Sequence, residues 1–579
     1  MKKNQDISKI TLIKSIWNHL NSKRKKQLIF LFGLILLCGI AEIYSIASLI
    51  PFLNAFSNTE STYSVAIIEP LYKIFSPLKS LNPILFSTVI FLFCISTAAF
   101  LRLVNLFAAN FISAAIGSEF SSKAYKLTLN QPYYRHIEIN SSEIISSIVT
   151  QTDVTVSVIK TTILFITSII IAIGLIYSLF IINWFLSISI SLILISLYLI
   201  LGVYFKTRLK KISQTKAILI NQQTKSLQEG LGSIKDIILD NSQEFSSKLF
   251  RRSDKPIRFL AAKSEFIAGS PRYLFEVISL FIIILIAYTY KVFIDFNVNI
   301  IPLLGTMALG IQRLLPSFQQ AYNSWVIITT NTNSVLNLLK LLDQNPYSEK
   351  KSSKDFLFKN KIRLKNISFS YKHNSTKIIK NFNLDIFKGD RIGIIGPSGK
   401  GKSTLADLLM GLLEPTKGSI EIDGIDLHSN NKYFKKDWYK NISHVPQDIF
   451  LIDSSIAENI AFGVPNEKID KKKLMLVIHL SKLSNLVKNI DDAFSTNIGE
   501  RGLKLSGGQR QRIGIARALY KGGNILILDE ATSALDQETE ASIMKTIDNL
   551  NSSITVIVIT HRLSTLKNCT RKVDLGNFK

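Results

Sequence analysis

The chain has 579 residues, several times the length of one ordinary domain, and 47% of them are hydrophobic, with a mean hydropathy of +0.24. Its formal net charge of +27 would suit nucleic-acid binding, but the basic residues crowd the segments beside apolar runs, as is typical of cytoplasmic anchors at a membrane. The three cysteines show no disulfide framework or metal-ligand spacing, so we expect a membrane protein without redox chemistry and without a nucleic-acid partner.

The N-terminal segment predicts a short interfacial helix followed by a first membrane span. Within residues 7–20, helical spacing relates Ile10, Ile13, Trp17 and Leu20. The basic run Lys23–Lys26 then precedes an apolar run from Leu28 to about Phe56, which is too long for the core of a cleaved signal peptide. Because basic residues stay on the cytoplasmic side, this order places the N-terminus in the cytoplasm.

Five further apolar runs predict five more spans, at about 84–116, 161–181, 184–205, 273–290 and 300–325. Six spans are an even number, so both termini are expected in the cytoplasm. The loops that would face outward are short. The inward segments, roughly 117–160 and 206–270, are long and polar, which predicts membrane helices that continue well into the cytosol.

A polar stretch from Gln344 to Lys354 marks a domain boundary. Beyond it, helical segments alternate with short apolar runs of β type, among them Ile392–Ile395, Ile525–Leu528 and Thr555–Ile559. We therefore predict an α-helical transmembrane domain over 1–343, a linker over 344–356, and an α/β domain with a largely parallel sheet over 357–579.

A glycine-rich loop between a predicted strand and a predicted helix has the form GxxxxGK[ST], which binds nucleoside triphosphates. Its backbone N–H groups and the helix N-terminus are expected to face the phosphates of ATP. Lys402 is expected to meet the β- and γ-phosphates, and the Ser403 hydroxyl to hold Mg²⁺. The residues assigned to ATP in this loop are Gly396, Pro397, Ser398, Gly399, Lys400, Gly401, Lys402, Ser403 and Thr404.

Two acids follow the strand Ile525–Leu528. Asp529 is placed to hold Mg²⁺ through water, and Glu530 to polarise the attacking water as a general base. A strand that ends in two acids is weak evidence alone, and its weight comes from the motifs around it.

The segment Leu505–Gln509, with the sequence LSGGQ, completes a set of motifs that resembles the ABC (ATP-binding cassette) transporter superfamily over the whole chain. The resemblance implies that Tyr371 stacks on adenine and that Gln447 senses Mg²⁺ and the membrane domain. It implies that Glu530 is the catalytic glutamate and His561 the switch histidine. It also assigns to the signature motif and the D-loop the residues Ser506, Gly507, Gly508, Gln509 and Asp536.

The same resemblance implies a homodimer, because the phosphate loop and the signature motif of one ATPase domain face opposite partners. A membrane domain ahead of the ATPase domain in one chain is similar to exporters. By that analogy Gln131–Arg135 and the region around Leu227–Ile234 are coupling segments, with ordinary amphipathic helix ends as the alternative. Since 18 residues follow His561, we expect no C-terminal regulatory segment.

Three arginines, Arg102, Arg272 and Arg313, fall within or at the edge of apolar spans. An arginine at the centre of a bilayer costs about 2.5–3.5 kcal/mol on insertion scales and usually lines a cavity or pathway. Guanidinium groups bind phosphate oxygens in bidentate fashion, so these residues suit a phosphate or pyrophosphate cargo. The alternatives are that they extend to the cytoplasmic interface or pair with Glu42 and Glu276.

The membrane half also resembles bacterial flippases of lipid-linked oligosaccharides, which move a polyprenyl-pyrophosphate saccharide between leaflets. The matching pieces are Glu42–Phe52, Pro271–Glu276 and Gln312–Ser317, and Val65–Phe75 takes the place of an external amphipathic helix. The resemblance implies a lipid-linked saccharide cargo and a bacterial inner membrane. An exporter of another lipid, a peptide or a drug-like compound is the alternative, and an ATP-gated channel is a third class.

Overall fold

The computed structural model describes residues 9–56, 70, 83–182, 184–293, 300–344, 356–371, 377–397, 399–428 and 432–576. The chain divides into two units. The helical unit comprises Met1–Gln131 and His136–Pro346, and the α/β unit comprises Pro132–Arg135 and Tyr347–Lys579. The predicted external helix Val65–Phe75 falls outside the described residues except for Pro70. The phosphate-loop residue Ser398 is also outside the described residues.

Helices occupy nearly all of the described chain before residue 343. They are α1 (Lys9–His19), α2 (Ser22–Ala47), α3 (Leu49–Phe56), α4 (Pro83–Leu129), α5 (Tyr133–Glu138), α6 (Ser141–Ile148), α7 (Thr150–Ile182), α8 (Trp184–Gly232), α9 (Ile234–Leu239), α10 (Gln243–Phe293) and α11 (Ile300–Leu342).

Over the described residues, four helical stretches are long and apolar enough to cross a membrane: Ser22–Leu53, Ile84–Leu129, Ser141–Ile182 and Ser187–Gly232. Helices α10 and α11, of 51 and 43 residues, are not among these four stretches, so the six predicted spans are not confirmed. The 47 residues of α4 correspond to about 70 Å, more than twice the hydrocarbon thickness of a bilayer of about 30 Å. Such a helix extends past the bilayer core.

The N-terminal helix α1 packs into the helical unit through one face. Leu12, Ile16 and Leu20 are buried in a cluster that also contains residues of α11. Ile13 and Trp17, which the sequence assigned to the apolar face, are exposed. The predicted apolar face is therefore wrong for Ile13 and Trp17 and confirmed for Leu20, which lies just past the end of α1.

Two sheets form the α/β unit, and the functional motifs follow the strands of one of them. Its strands are β1 (Lys361–Phe369), β2 (Ile379–Phe387), β3 (Arg391–Ile395), β4 (Lys417–Ile422), β5 (Ile425–Asp426), β6 (Ile442–Val445), β7 (Ile525–Asp529), β8 (Thr555–Ile559) and β9 (Arg571–Asp574). The order β6-β7-β8-β3-β9 makes a sheet that is parallel throughout, which confirms the largely parallel sheet. A second, antiparallel sheet with the order β2-β1-β4-β5 was not predicted.

The α/β unit also contains helices, four of which follow one another between β6 and β7. The helices are α12 (Lys402–Leu409), α13 (Lys432–Asn441), α14 (Ile456–Ile460), α15 (Lys471–Leu480), α16 (Ile490–Ser495), α17 (Gly507–Lys521) and α18 (Gln537–Asp548). All five residues of β7 and of β8 are buried, as expected for central strands of a parallel sheet with both faces covered.

Candidate functional site

The carboxyl ends of four neighbouring parallel strands carry the predicted ATP-site residues. The phosphate loop follows β3, Gln447 follows β6, Glu530 follows β7 and His561 follows β8. Because the carboxyl ends of parallel strands meet at one edge of the sheet, the topology brings these residues to one crevice. Ligands of open α/β sheets bind at this edge.

Glu530 is the centre of this crevice. One of its carboxylate oxygens, Oε2, accepts a hydrogen bond of 2.9 Å from Gln447 Nε2, and the other, Oε1, lies 3.3 Å from Nδ1 of His561. The backbone of Glu530 has a φ of 48°, in the left-handed region, and its N–H donates to the carbonyl of Ile559 at 2.9 Å. Strained backbone of this kind is concentrated at functional sites. The structure therefore brings the three predicted catalytic residues together.

The phosphate loop wraps around the ammonium group of Lys402. The Lys402 side chain is buried, and its Nζ donates to the carbonyl oxygens of Gly396 at 2.8 Å and Pro397 at 3.2 Å. Gly401 caps α12 with a φ of 86°, and a Cβ there would lie 2.6 Å from Cγ2 of Ile378. Only glycine fits this position without strain. The loop is thus a cradle whose backbone N–H groups and lysine suit a triphosphate.

A hydroxyl and a carboxylate lie together beside the loop. Burial raises the pKa of the Asp529 carboxyl, at the end of β7, above its usual range, and the nearby Ser403 hydroxyl opposes that rise. Over the described residues, no group of three or more His, Cys, Asp or Glu side chains is arranged to hold a metal ion without other ligands. Mg²⁺ in nucleotide sites takes one or two protein oxygens and completes its shell with phosphate oxygens and water. Ser403 and Asp529 fit that requirement.

Tyr371 packs edge-on against Phe369, with ring centroids 5.0 Å apart. Its hydroxyl lies 3.5 Å from Oγ1 of Thr404, on the helix that follows the phosphate loop. The aromatic ring predicted to stack on adenine thus lies beside the helix that follows the phosphate loop.

The signature and D-loop residues cap two helices. Ser506 caps α17, where its hydroxyl accepts from the Gln509 N–H at 3.2 Å and its own N–H donates to Gln509 Oε1 at 2.8 Å. Asp536 caps α18 by accepting from the Thr539 N–H at 2.9 Å, a hydrogen bond that lowers the pKa of its carboxyl. None of the hydrogen bonds or ion pairs of the described residues joins Ser506 to the phosphate loop of the same chain.

Sequence reasoning missed a buried network behind the catalytic edge. The Glu540 carboxylate accepts hydrogen bonds from Thr532 at 2.9 Å and Thr565 at 2.8 Å, and pairs with Arg562 at 3.2 Å. Arg562 also donates to the Ser533 carbonyl at 2.7 Å. Thr532 and Ser533 follow Glu530, and Arg562 follows His561, so the network ties the two loops together. Glu540 belongs to no sequence motif, so nothing in the sequence marks it as part of this network.

In the helical unit, the structure brings two of the three candidate substrate arginines together. Arg102 and Arg313 both pair with Glu42, and both line a cavity of about 660 Å³. Arg272 is exposed, pairs with Glu276 at 2.8 Å along α10 and does not line this cavity. The pairing with acids that the sequence offered as an alternative is therefore present for all three. The polar residues that also line the cavity include Asn105, Thr167, Ser168, Gln312, Ser317 and Gln320.

Comparison with known proteins decides the family. Residues 379–533 match the ABC transporter family. The heterocyst differentiation ATP-binding protein HepA of Nostoc sp. is 31% identical over 414 residues, which cover 69% of this chain and 67% of that protein. The chain belongs to the ABC transporter family. In this chain an ATP-binding domain follows helices that are long and apolar enough to cross a membrane.

Other relatives match over smaller shares of the chain. The ATP-dependent lipid A-core flippase of Cupriavidus metallidurans is 41% identical over 211 residues, 36% of this chain and 35% of that protein. The first curated relatives are matched over a fifth to about two fifths of their own length. The structure of a bacterial Atm1-family ABC exporter with ATP bound superposes with a TM-score of 0.75 at 19% identity, covering 96% of this chain and 95% of that chain. That likeness confirms the fold of a helical membrane domain with an ABC nucleotide-binding domain.

Proposed function

We propose that the chain hydrolyses ATP as a homodimer and uses the energy to flip a lipid-linked oligosaccharide, carried on a polyprenyl pyrophosphate, out of the inner leaflet of a bacterial inner membrane. The observation that carries the ATPase part is the Glu530 carboxylate, which is held between Gln447 and His561 at the end of a buried strand. This arrangement fits a general base more closely than a surface ion pair, because both oxygens are oriented by polar neighbours.

The residues of the crevice divide the work of hydrolysis. Lys402 and the loop N–H groups bind the β- and γ-phosphates, and Tyr371 receives the adenine. Ser403 and Asp529 would hold Mg²⁺, which neutralises developing charge on the phosphates. The Glu530 carboxylate orients the attacking water and takes up its proton. Gln447 and His561 fix the direction of that carboxylate, so that the water is aligned before reaction.

A second copy of the chain completes each ATP site in this proposal. Ser506, Gly507 and Gly508 lie at the N-terminus of α17, where backbone N–H groups favour an anion such as the γ-phosphate. We infer that Ser506 serves the phosphate loop of the partner, as the motif order of ABC transporters implies. Six spans per chain, with α10 and α11 as the last two, keep both ATP-binding domains and both termini in the cytoplasm.

The cavity of the helical unit supports an anionic cargo. Arg102 and Arg313 bring two positive charges to its wall, and Glu42 brings one negative charge beside them. The surplus charge and the neighbouring amides and hydroxyls favour a phosphate or pyrophosphate group that carries a polar substituent. The name of one relative, ATP-dependent lipid A-core flippase, is consistent with the flipping of a lipid. Gln131–Arg135 and Leu227–Ile234 remain the proposed coupling segments.

The test is a flipping assay with the purified protein in liposomes. Addition of ATP should move a fluorescent polyprenyl-pyrophosphate sugar from one leaflet to the other. Glu530→Gln should still bind ATP, because the substitution keeps the shape of the side chain, but should hydrolyse it at least about 100-fold more slowly and flip no lipid. Failure to move any of several glycans would reject the cargo, and undiminished hydrolysis by Glu530→Gln would reject the catalytic assignment. Stimulation of hydrolysis by peptides or drug-like compounds instead would support the alternative exporter.

A further inference from the structure

One buried carboxylate in the helical unit serves two arginines from two other helices. Glu42 on α2 is 1% exposed, and its Oε1 is in close contact with Nη2 of Arg102 on α4. Its Oε2 lies 3.7 Å from Nη1 of Arg313 on α11 and accepts no hydrogen bond from the described residues. Nη1 of Arg313 donates instead to the hydroxyl of Ser45, one turn further along α2. Glu42 therefore holds Arg102 tightly and Arg313 loosely.

The two guanidinium groups reach the cavity, whereas the carboxylate does not. The side chains of Arg102 and Arg313 are 45% and 33% exposed and line the cavity, and Glu42 lies behind them. On the same wall, Asn105 donates through Nδ2 to Thr167 at 3.1 Å, while its buried Oδ1 has no partner among the described residues. The wall thus offers guanidinium donors to a ligand, whereas the Asn105 amide oxygen is buried within the wall.

The charge balance of this wall depends on whether the cavity is empty or loaded. Two guanidinium groups inside a bilayer without a counter-ion are costly, and an acid beside them offsets part of that cost. An entering phosphate group supplies the same compensation through the cavity side. Arg313 has only a long contact with Glu42. Its guanidinium group can therefore turn to phosphate oxygens with a smaller loss of ion-pair energy than that of Arg102.

We propose that Glu42 is the counter-ion of an anion-binding site for a phosphate or pyrophosphate group. Its carboxylate neutralises Arg102 and Arg313 while the cavity is empty, and Arg313 exchanges its pairing with Glu42 for the phosphate oxygens when the cargo enters. Competition by Glu42 weakens cargo binding and favours release. After release, Glu42 pairs with both arginines again, so the empty transporter returns to its starting conformation without two uncompensated charges in the membrane. This inference rests on the proposed function for the chemical class of its cargo.

The experiment measures binding of farnesyl pyrophosphate to the full chain in nanodiscs by calorimetry, with ADP and Mg²⁺ saturating the nucleotide site. Glu42→Gln should lower the Kd by about tenfold, because it removes the competing charge a few ångströms from the arginines. Glu276→Gln is the matched control. It removes the acid from the other arginine pair, that of Arg272, which does not line the cavity, and should leave the Kd unchanged.

Two ligands that each lack one part of farnesyl pyrophosphate identify the source of the anion. Farnesol, which lacks the pyrophosphate, should show no difference between the wild type and Glu42→Gln. Inorganic pyrophosphate that tightens in parallel with the lipid indicates a site for the free anion, and tightening of the lipid alone indicates a lipid headgroup. Both results support Glu42 as the counter-ion.

The outcomes separate this inference from the proposed cargo. Wild-type binding of farnesyl pyrophosphate with an unchanged or higher Kd in Glu42→Gln would overturn the counter-ion role and leave the cargo class standing. No wild-type binding of either pyrophosphate would overturn both. If Glu42→Gln does not fold, Glu42→Asp gives the answer. The shorter side chain keeps the carboxylate charge but moves it away from Arg313. The Kd should therefore fall by a smaller factor than in Glu42→Gln, and an unchanged Kd would contradict the proposal.

Discussion

Glu540 shows how a residue outside every motif can control a catalytic loop. It is 5% exposed, and its hydrogen bonds join the loop that follows Glu530 to the segment that follows His561. It touches neither Glu530 nor His561 in the described contacts, so its role is to position them. Arg562 reinforces that link, since it bonds both to Glu540 and to the carbonyl of Ser533.

Glu540→Gln should lower kcat for ATP hydrolysis by about tenfold with little change in KM, because a small shift of an aligned general base is costly while nucleotide binding is left intact. The neutral amide also leaves the Arg562 charge without its carboxylate partner. Steady-state kinetics check the split between kcat and KM. The control is Glu538→Gln, an exposed acid on the same helix, which should behave as wild type. A higher KM with an unaltered kcat in Glu540→Gln would contradict the positioning role.

At the scale of helices, α2 and α7 approach closely at a pair of glycines. A Cβ on Gly174 would lie 2.9 Å from the carbonyl oxygen of Gly39, which is backbone and cannot move aside. Gly174→Ala should therefore push the helices apart and lower the free energy of unfolding by about 1–3 kcal/mol. Thermal unfolding in detergent measures the loss. Gly202→Ala is the control, since a Cβ there meets no atom within 4 Å. Equal midpoints for the two variants would refute this packing argument.

The elements themselves were predictable where the signal is local. The predicted strands lie within β3, β7 and β8, because short apolar runs between turns specify buried parallel strands. The antiparallel sheet was missed because its strands mix polar and apolar residues, and β1 pairs with β4 across a distant stretch of sequence, as in Lys365↔Ser419. The fifth and sixth spans, predicted from hydropathy within α10 and α11, are not among the four apolar stretches found in the described residues and are not confirmed.

The candidate sites divide in the same way. Lys402, Asp529 and Glu530 were predictable because each motif lies within one strand–loop segment, so the chemistry is written in consecutive residues. The sharing of Glu42 by two arginines was not, because it depends on the packing of three helices far apart in sequence. Position in or beside an apolar span grouped Arg272 with the other two arginines, whereas in the structure it is exposed and pairs with Glu276, the alternative that the sequence had offered.

In our proposal, each ATP site is complete only in the whole transporter, where two chains meet. If the phosphate loop of one chain meets the signature motif of the other, each of the two sites in a dimer borrows one half from each chain. A chain with Lys402→Ala then damages the loop of one site, and a chain with Ser506→Arg damages the signature of one site. Where those two defects fall depends on which chain carries each of them.

Mixed dimers make this arrangement measurable. When one chain carries Lys402→Ala and its partner carries Ser506→Arg, both defects fall in the same site, and the other site is intact. When both substitutions are in one chain beside a wild-type partner, each site carries one defect, and hydrolysis should fall by about 100-fold, the usual cost of losing one preorganised charge-stabilising group. The first mixture should therefore hydrolyse ATP well above the second, up to about half the wild-type rate if the sites act independently. Differently tagged chains purified in tandem give each mixture. The reverse order of rates would show that each chain closes its own ATP site, because a chain that lacks both groups would then leave its wild-type partner fully active.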